Sequence, residues 1–139
     1  MNYLIYLSKS SRLLTGNDLK QLLVEIRHRH NKYGITGMML YGNGTFLQAL
    51  EGDENKLESV FERLKTDDIQ KGIIKLKSGR HSRRTFTEWS MGFKITTAEY
   101  VTRMHGFVDP MRGDFLVGHN PKDPAVSLLK TFAQHNLQY

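Results

Sequence analysis

Two short apolar runs meet at a tight turn in the first third of the chain, and this pair constrains the fold more than any other feature. Residues 38–41 and 45–51 have the apolar and aromatic character of β-strands, and Gly42, Asn43 and Gly44 lie between them. An Asn-Gly pair between two such runs is the strongest short-range signal for a β-hairpin, because both residues adopt positive φ readily. We therefore predict a hairpin at the centre of an antiparallel arrangement.

Helix signals stand on both sides of the predicted hairpin. Thr15 has the character of an N-cap, Asp18 three positions later nearly completes a capping box, and apolar residues recur at helical spacing over 19–26. A second helix is predicted to begin after Asp53 and to end near Thr66, again with one apolar stripe. Each helix is therefore expected to lay one face on a sheet.

The remaining strands complete a recognisable order. Residues 2–8 are aromatic and apolar without alternation, which is typical of a strand buried on both faces. Residues 73–76 and 85–93 are predicted to form two more strands around a basic loop. The order β-α-β-β-α-β-β predicts an α+β, ferredoxin-like fold with two helices on one face of the sheet.

The last third of the chain is less regular. Residues 95–120 are interrupted by Gly, Pro and Asp, whereas 124–135 are predicted to form a final helix with Asp123 as its cap. We expect this tail to cover the open face of the sheet. The predicted organisation is a domain over 1–97 and a C-terminal extension over 98–139 that packs on it.

Composition excludes several classes of function. The chain has no cysteine among its 139 residues, and its six histidines show no metal-ligand spacing, so we expect neither disulfides nor a metal site. No apolar run approaches the ~20 residues that span a bilayer, and a cytoplasmic protein without membrane contact is predicted. The net charge of +6 is concentrated over 71–84, which we interpret as a solvated hairpin tip.

One polar residue stands in an apolar strand. Gln48 lies between apolar neighbours, and a buried amide without hydrogen-bond partners would cost about 1–3 kcal/mol. Tyr6 in the first strand is the candidate partner, with its phenol donating to the amide oxygen. These two residues alone favour an ordinary structural hydrogen bond between strands, and no hydrolase or kinase motif accompanies them.

Four segments together resemble the BLUF family, which senses blue light using flavin. They are residues 4–8, 34–37, 46–52 and 89–91, and they occur in the family's order within a similarity over roughly 2–95. The resemblance is to the short, single-domain type. It implies the fold predicted above, with FAD or FMN between the two helices and the flavin ring against the sheet.

The resemblance also assigns photoactive roles. Tyr6 is similar to the light-active tyrosine, and Gln48 to the glutamine that links it to flavin N5 and the C4 carbonyl. An excited flavin is a strong oxidant, a phenol can deliver an electron and then a proton, and an amide can relay that proton. Trp89 and Met91 match the pair whose rearrangement reports the switch.

Further residues are implied as contacts of the cofactor. Arg63 and Asp67 resemble positions on its ribityl-phosphate side. For the carbonyl edge of the ring, an ungapped alignment from Gln48 implies Arg29 and His30. An alignment in which the connection after the first helix is one residue shorter implies His30 and Asn31 instead. We favour the second assignment, because a His-Asn pair is a known variant.

The implied function is a non-enzymatic photoreceptor that signals to a protein partner through the fifth strand and the tail, and self-association into a homo-oligomer is expected from the resemblance. Two alternatives stay open: a flavin-free adaptor with the same fold, and a nucleic-acid-binding module that uses the basic residues over 71–84. The second ranks low, because that stretch lacks interleaved aromatics.

Overall fold

The computed structural model of the chain describes residues 1–94 and 102–137, and the predicted boundary between residues 97 and 98 lies outside them. No helix in these two ranges combines the length and apolar character needed to cross a bilayer. The elements, in chain order, are β1 (Asn2–Ser10), α1 (Gly16–Lys32), β2 (Thr36–Gly42), β3 (Thr45–Gly52), α2 (Glu54–Leu64), β4 (Gln70–Arg80), β5 (Trp89–Phe93), β6 (Phe107–Val108) and α3 (Pro124–Asn136).

The central hairpin is confirmed. β2 and β3 pair antiparallel, and the register closes at Gly42 opposite Thr45. Asn43 and Gly44 have φ values of 51° and 70°, the positive pair that a two-residue turn with the twist of the sheet requires.

In the part of the chain that the structure describes, three helices begin where the sequence predicts them. Thr15 and Asp18 form a reciprocal capping box at the start of α1. Asp53 accepts two backbone N–H bonds at the start of α2, and Asp123 does the same for α3, where Pro124 follows it. Each cap satisfies N–H groups that have no partner inside the helix.

The described strands form one mixed sheet in the order β4-β1-β3-β2-β5-β6. β1 lies inside it, antiparallel to both β3 and β4, as its uniform apolar character predicts. β5 runs parallel to β2, and the two-residue β6 runs parallel to β5. The α+β, ferredoxin-like prediction is confirmed, with the parallel strands added on the β2 side.

The predicted hairpin between the fourth and fifth strands is wrong. β4 spans 70–80 and pairs with β1 at one edge of the sheet, whereas β5 spans only 89–93 and lies beyond β2. All five residues of β5 are buried. If β5 paired with β4 it would form the edge of the sheet, where a strand is exposed to solvent. The basic residues over 71–84 therefore lie along a largely exposed edge strand and the connection after it, and not on a hairpin tip.

Helices cover both faces of the sheet. α1 and α2 pack their apolar stripes on one face, over a cluster that includes Tyr6, Met39 and Trp89. α3 packs on the other face, where Val126 and Leu129 belong to a second cluster built on β1, β2 and β3. Side chains of successive residues in a strand alternate between these two clusters, as the pleat requires.

Candidate functional site

A cleft of about 310 Å³ opens between α1 and α2, and its floor is the sheet. Tyr6 of β1 and Gln48 of β3 form that floor. The walls come from the two helices, the loop after α2 and the start of β4: Leu22, Ile26, Arg29 and His30 of α1, Val60, Arg63 and Leu64 of α2, the loop residues Thr66, Asp67, Asp68 and Ile69, and Gln70 of β4.

Tyr6 and Gln48 lie directly opposite each other in the antiparallel β1–β3 pair, and both are buried. The two side chains are in hydrogen-bond contact, but the polarity differs from the prediction. The amide Nε2 of Gln48 donates to the phenolic oxygen of Tyr6, whereas we expected the phenol to donate to the amide oxygen. The hydroxyl proton of Tyr6 is therefore not committed to Gln48.

The amide oxygen of Gln48 has its own buried donor. The indole Nε1 of Trp89 donates to Gln48 Oε1 at 2.9 Å. Trp89 is fully buried and is the only tryptophan in the sequence. Both ends of the amide are thus bound to the protein, and Trp89 carries the connection from the cleft floor into β5.

The surroundings keep Tyr6 protonated. Burial raises the pKa of the Tyr6 phenol well above its usual range, the bond from Gln48 acts in the opposite direction, and the charge of Asp67 adds a smaller increase. Because a phenolate has little solvation in such a site, proton loss from Tyr6 requires an acceptor placed within the cleft.

His30 lies in the last turn of α1 and faces the cleft. Its side chain is 2% exposed, and its Nδ1 has no hydrogen-bond partner among the described residues. The pKa of His30 is lowered to about 4, chiefly by burial and also by the charges of Arg29 and Arg63, while the hydrogen bond with Gln48 acts in the opposite direction. His30 is therefore neutral at pH 7 and has a free nitrogen to offer.

The preferred assignment of Asn31 to the cleft is wrong. Asn31 is exposed and does not line the cleft, whereas Arg29 and His30 both do. α1 continues without interruption to Lys32, so the shorter connection that would bring Asn31 inward is absent. Each residue turns by about 100° around a helix, which directs Asn31 away when His30 faces in. The ungapped alternative fits the geometry.

Arg63 and Asp67 occupy one end of the cleft. The guanidinium of Arg63 forms no ion pair with any acid in the described ranges. Asp67 uses Oδ1 to accept the backbone N–H groups of Ile69 at 2.7 Å and Gln70 at 2.9 Å. Asp67 therefore shapes the loop that closes the cleft, and Arg63 is the cation available to a ligand at that end.

Met91 is buried two residues beyond Trp89, in the same cluster under α1 and α2. Its backbone N–H donates to the carbonyl of Gly106 at 2.7 Å, just before β6. Trp89 and Met91 thus share one face of β5, as their spacing predicts, and Met91 joins that strand to the chain that follows.

Sequence reasoning missed Glu51. Its carboxylate is buried and accepts the backbone N–H groups of Thr85 and Phe86 at 2.8–2.9 Å, so that it holds the connection between β4 and β5. The sequence feature that could have identified Glu51 is the same as for Gln48, namely a polar residue inside an apolar strand. Sequence reasoning also missed Arg27, which donates to the backbone carbonyl of Trp89. Arg27 lies among several basic residues at the end of α1, and nothing in the sequence distinguishes it from them.

These residues fit a flavin. The walls contribute Leu22, Ile26 and Val60, which suit a flat aromatic ring, and the free Nδ1 of His30 suits its polar edge. The unpaired guanidinium of Arg63 suits a phosphate. The fold and the cleft together have the form of a small α+β ligand-binding module.

The comparison with protein families agrees with that class. Residues 1–92 match the family BLUF, described as sensors of blue-light using FAD. The chain belongs to the BLUF family.

Relatives and solved structures extend this finding. The chain is 27% identical over 89 residues to the photoactivated adenylate cyclase subunit beta-like protein FB of Euglena gracilis, a match over 63% of this chain and 10% of that protein. It is 29% identical over 92 residues to the alpha subunit from the same organism, over 63% of this chain and 9% of the relative. The chain therefore spans about a tenth of the length of these curated relatives.

Among structures, BlsA in its ground state matches with a TM-score of 0.62 and 26% identity over 100% of this chain and 89% of that chain. The BLUF domain of BlrP1 matches with a TM-score of 0.70 and 24% identity over 94% and 88% of the two chains. The second likeness, at under 25% identity, speaks for the fold alone.

Proposed function

We propose that this chain is a blue-light receptor that holds a flavin between α1 and α2 and signals by rearranging the hydrogen bonds of Gln48. One observation carries the proposal: on the floor of the cleft, Gln48 binds Tyr6 with its amide nitrogen and Trp89 with its amide oxygen. A single buried amide therefore links a residue that can react at the ligand to a residue of β5.

Residues of the cleft would hold the cofactor by its different parts. Neutral His30 would contact the polar edge of the ring, with Arg29 beside it, and Gln48 would face the ring from the sheet. Arg63 would bind a phosphate, and Asp67 would fix the loop beside it. FAD and FMN both carry such a phosphate. When bound and excited by blue light, the flavin supplies a strong oxidant next to Tyr6.

The chain's own groups define the response. With a flavin bound, Tyr6 would give an electron to the flavin and then its hydroxyl proton, which is not committed to Gln48 and which the flavin would accept. A half-turn of the Gln48 amide would direct Oε1 to Tyr6 and Nε2 to the indole of Trp89. Two N–H donors would then face each other, and the Trp89 bond would be lost. Rearrangement of Gln48 therefore releases Trp89 and reaches β5.

Output through a partner is the remaining part of the proposal. The curated relatives are named as subunits of photoactivated adenylate cyclases, and the residues matched here are the sensor part. We propose that this chain has no catalytic role of its own and passes the change in β5 to a protein partner, as a cytoplasmic homo-oligomer. The bond from Met91 to Gly106 supports a route from β5 into the chain that follows.

A pair of tyrosine variants tests the photochemical role. Tyr6→Phe removes the hydroxyl beside Gln48 and should leave flavin binding intact while abolishing the light-induced shift of the flavin bands. Tyr41→Phe is the matched control, because Tyr41 is also buried, with its hydroxyl 3.5 Å from Ser10 Oγ and away from the cleft lining. A light response in Tyr6→Phe equal to that of the control would refute the role of Tyr6.

A further inference from the structure

Arg27 joins α1 to β5 at the residue that carries the Gln48 network. Its Nη1 donates to the backbone carbonyl of Trp89 and, at 3.1 Å, to the carboxylate of Glu88. The Arg27 side chain is 18% exposed and that of Glu88 57%. The bond to Trp89 is therefore the better shielded of the two, and the exposed ion pair contributes little.

The Trp89 residue is held from two sides. Its indole donates to Gln48 Oε1 at 2.9 Å, and its carbonyl accepts from the guanidinium of Arg27. Bonds from charged donors are roughly twice as strong as neutral ones. The contact with Arg27 thus fixes the backbone from which the indole reaches Gln48.

A third segment meets Arg27 at Gly106. Gly106 has a φ of +88°, and a Cβ there would lie only 2.8 Å from Arg27 Cδ. The Arg27 side chain can therefore pack directly against the backbone at this position because the residue is glycine. The carbonyl of the same Gly106 accepts the N–H of Met91. α1, β5 and the approach to β6 are therefore joined around one side chain.

We propose that Arg27 is a positioning residue of the sensor: it holds β5 so that the indole of Trp89 stays on Gln48, and it passes a displacement of Trp89 to Gly106. This inference rests on the proposed function. Loss of Arg27 frees the backbone of Trp89, on which the bond from the indole to Gln48 depends.

Three full-length variants test the proposal. Arg27→Met keeps the apolar part of the side chain and removes its donors, Arg27→Lys restores a charged donor, and Glu88→Gln removes the exposed ion pair alone. The first readout is acrylamide quenching of tryptophan fluorescence without flavin, which reports Trp89 only, since the sequence has no other tryptophan. The second is the rate of dark recovery of the flavin bands after illumination.

Arg27→Met should raise the quenching constant of Trp89 about twofold or more and slow dark recovery by about tenfold, equivalent to ~1.4 kcal/mol. Arg27→Lys should recover most of both effects, and Glu88→Gln should match wild type. Equal quenching in Arg27→Met and Glu88→Gln overturns the proposal, whether or not flavin binds. If Arg27→Met does not fold, wild-type quenching and recovery in Arg27→Leu, which also has no donor, overturn it.

Discussion

Protonation of His30 should weaken the fold at acidic pH by an amount that follows from its position. The pKa of His30 falls from its ordinary value of 6.5 to about 4, chiefly because the ring is buried and secondarily because Arg29 and Arg63 are near. The unfolded chain therefore binds a proton at a higher pH than the folded chain. His30 contributes stability that is fully present above pH 6.5 and is lost as the pH falls from 6.5 to 4.

The size of the loss comes from the same two values. Taking the linkage relation with a pKa of 6.5 unfolded and about 4 folded, the free energy of unfolding should drop by about 2 kcal/mol at pH 5 and by about 3 kcal/mol at pH 4. Most of that change falls between pH 6 and pH 4.5.

Urea unfolding followed by the fluorescence of Trp89 provides the assay, at several pH values from 7 to 4.5. His30→Asn removes the titrating ring and should flatten the curve in this range. His28→Asn is the matched control, because His28 lies on the same helix and is exposed. A His30→Asn curve with the same pH slope as the control would show that His30 is not neutral and buried as described.

Two further predictions concern the buried carboxylate and the phosphate end of the cleft. Glu51→Gln should lower the free energy of unfolding by about 1–2 kcal/mol, because the amide oxygen can replace only Oε1 and the NH2 would face the N–H of Thr85 that Oε2 accepts. Glu88→Gln should be near neutral in the same denaturant titration, and equal costs would contradict the assignment. Arg63→Gln should weaken FMN binding about tenfold in a fluorescence titration and leave riboflavin, which has no phosphate, unchanged; an equal loss for both ligands would exclude a phosphate contact.

The parts of the fold set by neighbouring residues could be predicted from the sequence. The Asn43-Gly44 turn and the caps at Thr15, Asp53 and Asp123 each depend on a few adjacent residues, and all four are where the sequence predicts them. The partner strands of β4 and β5 could not be predicted in this way, since β4 pairs with β1 and β5 pairs with β2. Their separation depends on β5 running parallel to β2 across the sheet, a long-range choice that no local turn signal encodes.

The candidate site shows the same division. The contact between Tyr6 and Gln48 follows from their place in two apolar strands, but the direction of the hydrogen bond depends on the third partner, Trp89, which takes the amide oxygen. The choice between the pair Arg29 and His30 and the pair His30 and Asn31 depends on the rotation of α1 at its end. Arg27 has no sequence signal, because its importance comes from the carbonyl it meets in space.

The absorption spectrum of the purified chain with added FAD or FMN, recorded before and after blue light, tests the central claim most directly. A flavin bound beside Gln48 should give a yellow protein whose bands shift to longer wavelength on illumination and return in the dark. A chain that binds no flavin, or one whose bound flavin shows no reversible shift, would contradict the proposal that Tyr6, Gln48 and Trp89 form a light-driven switch.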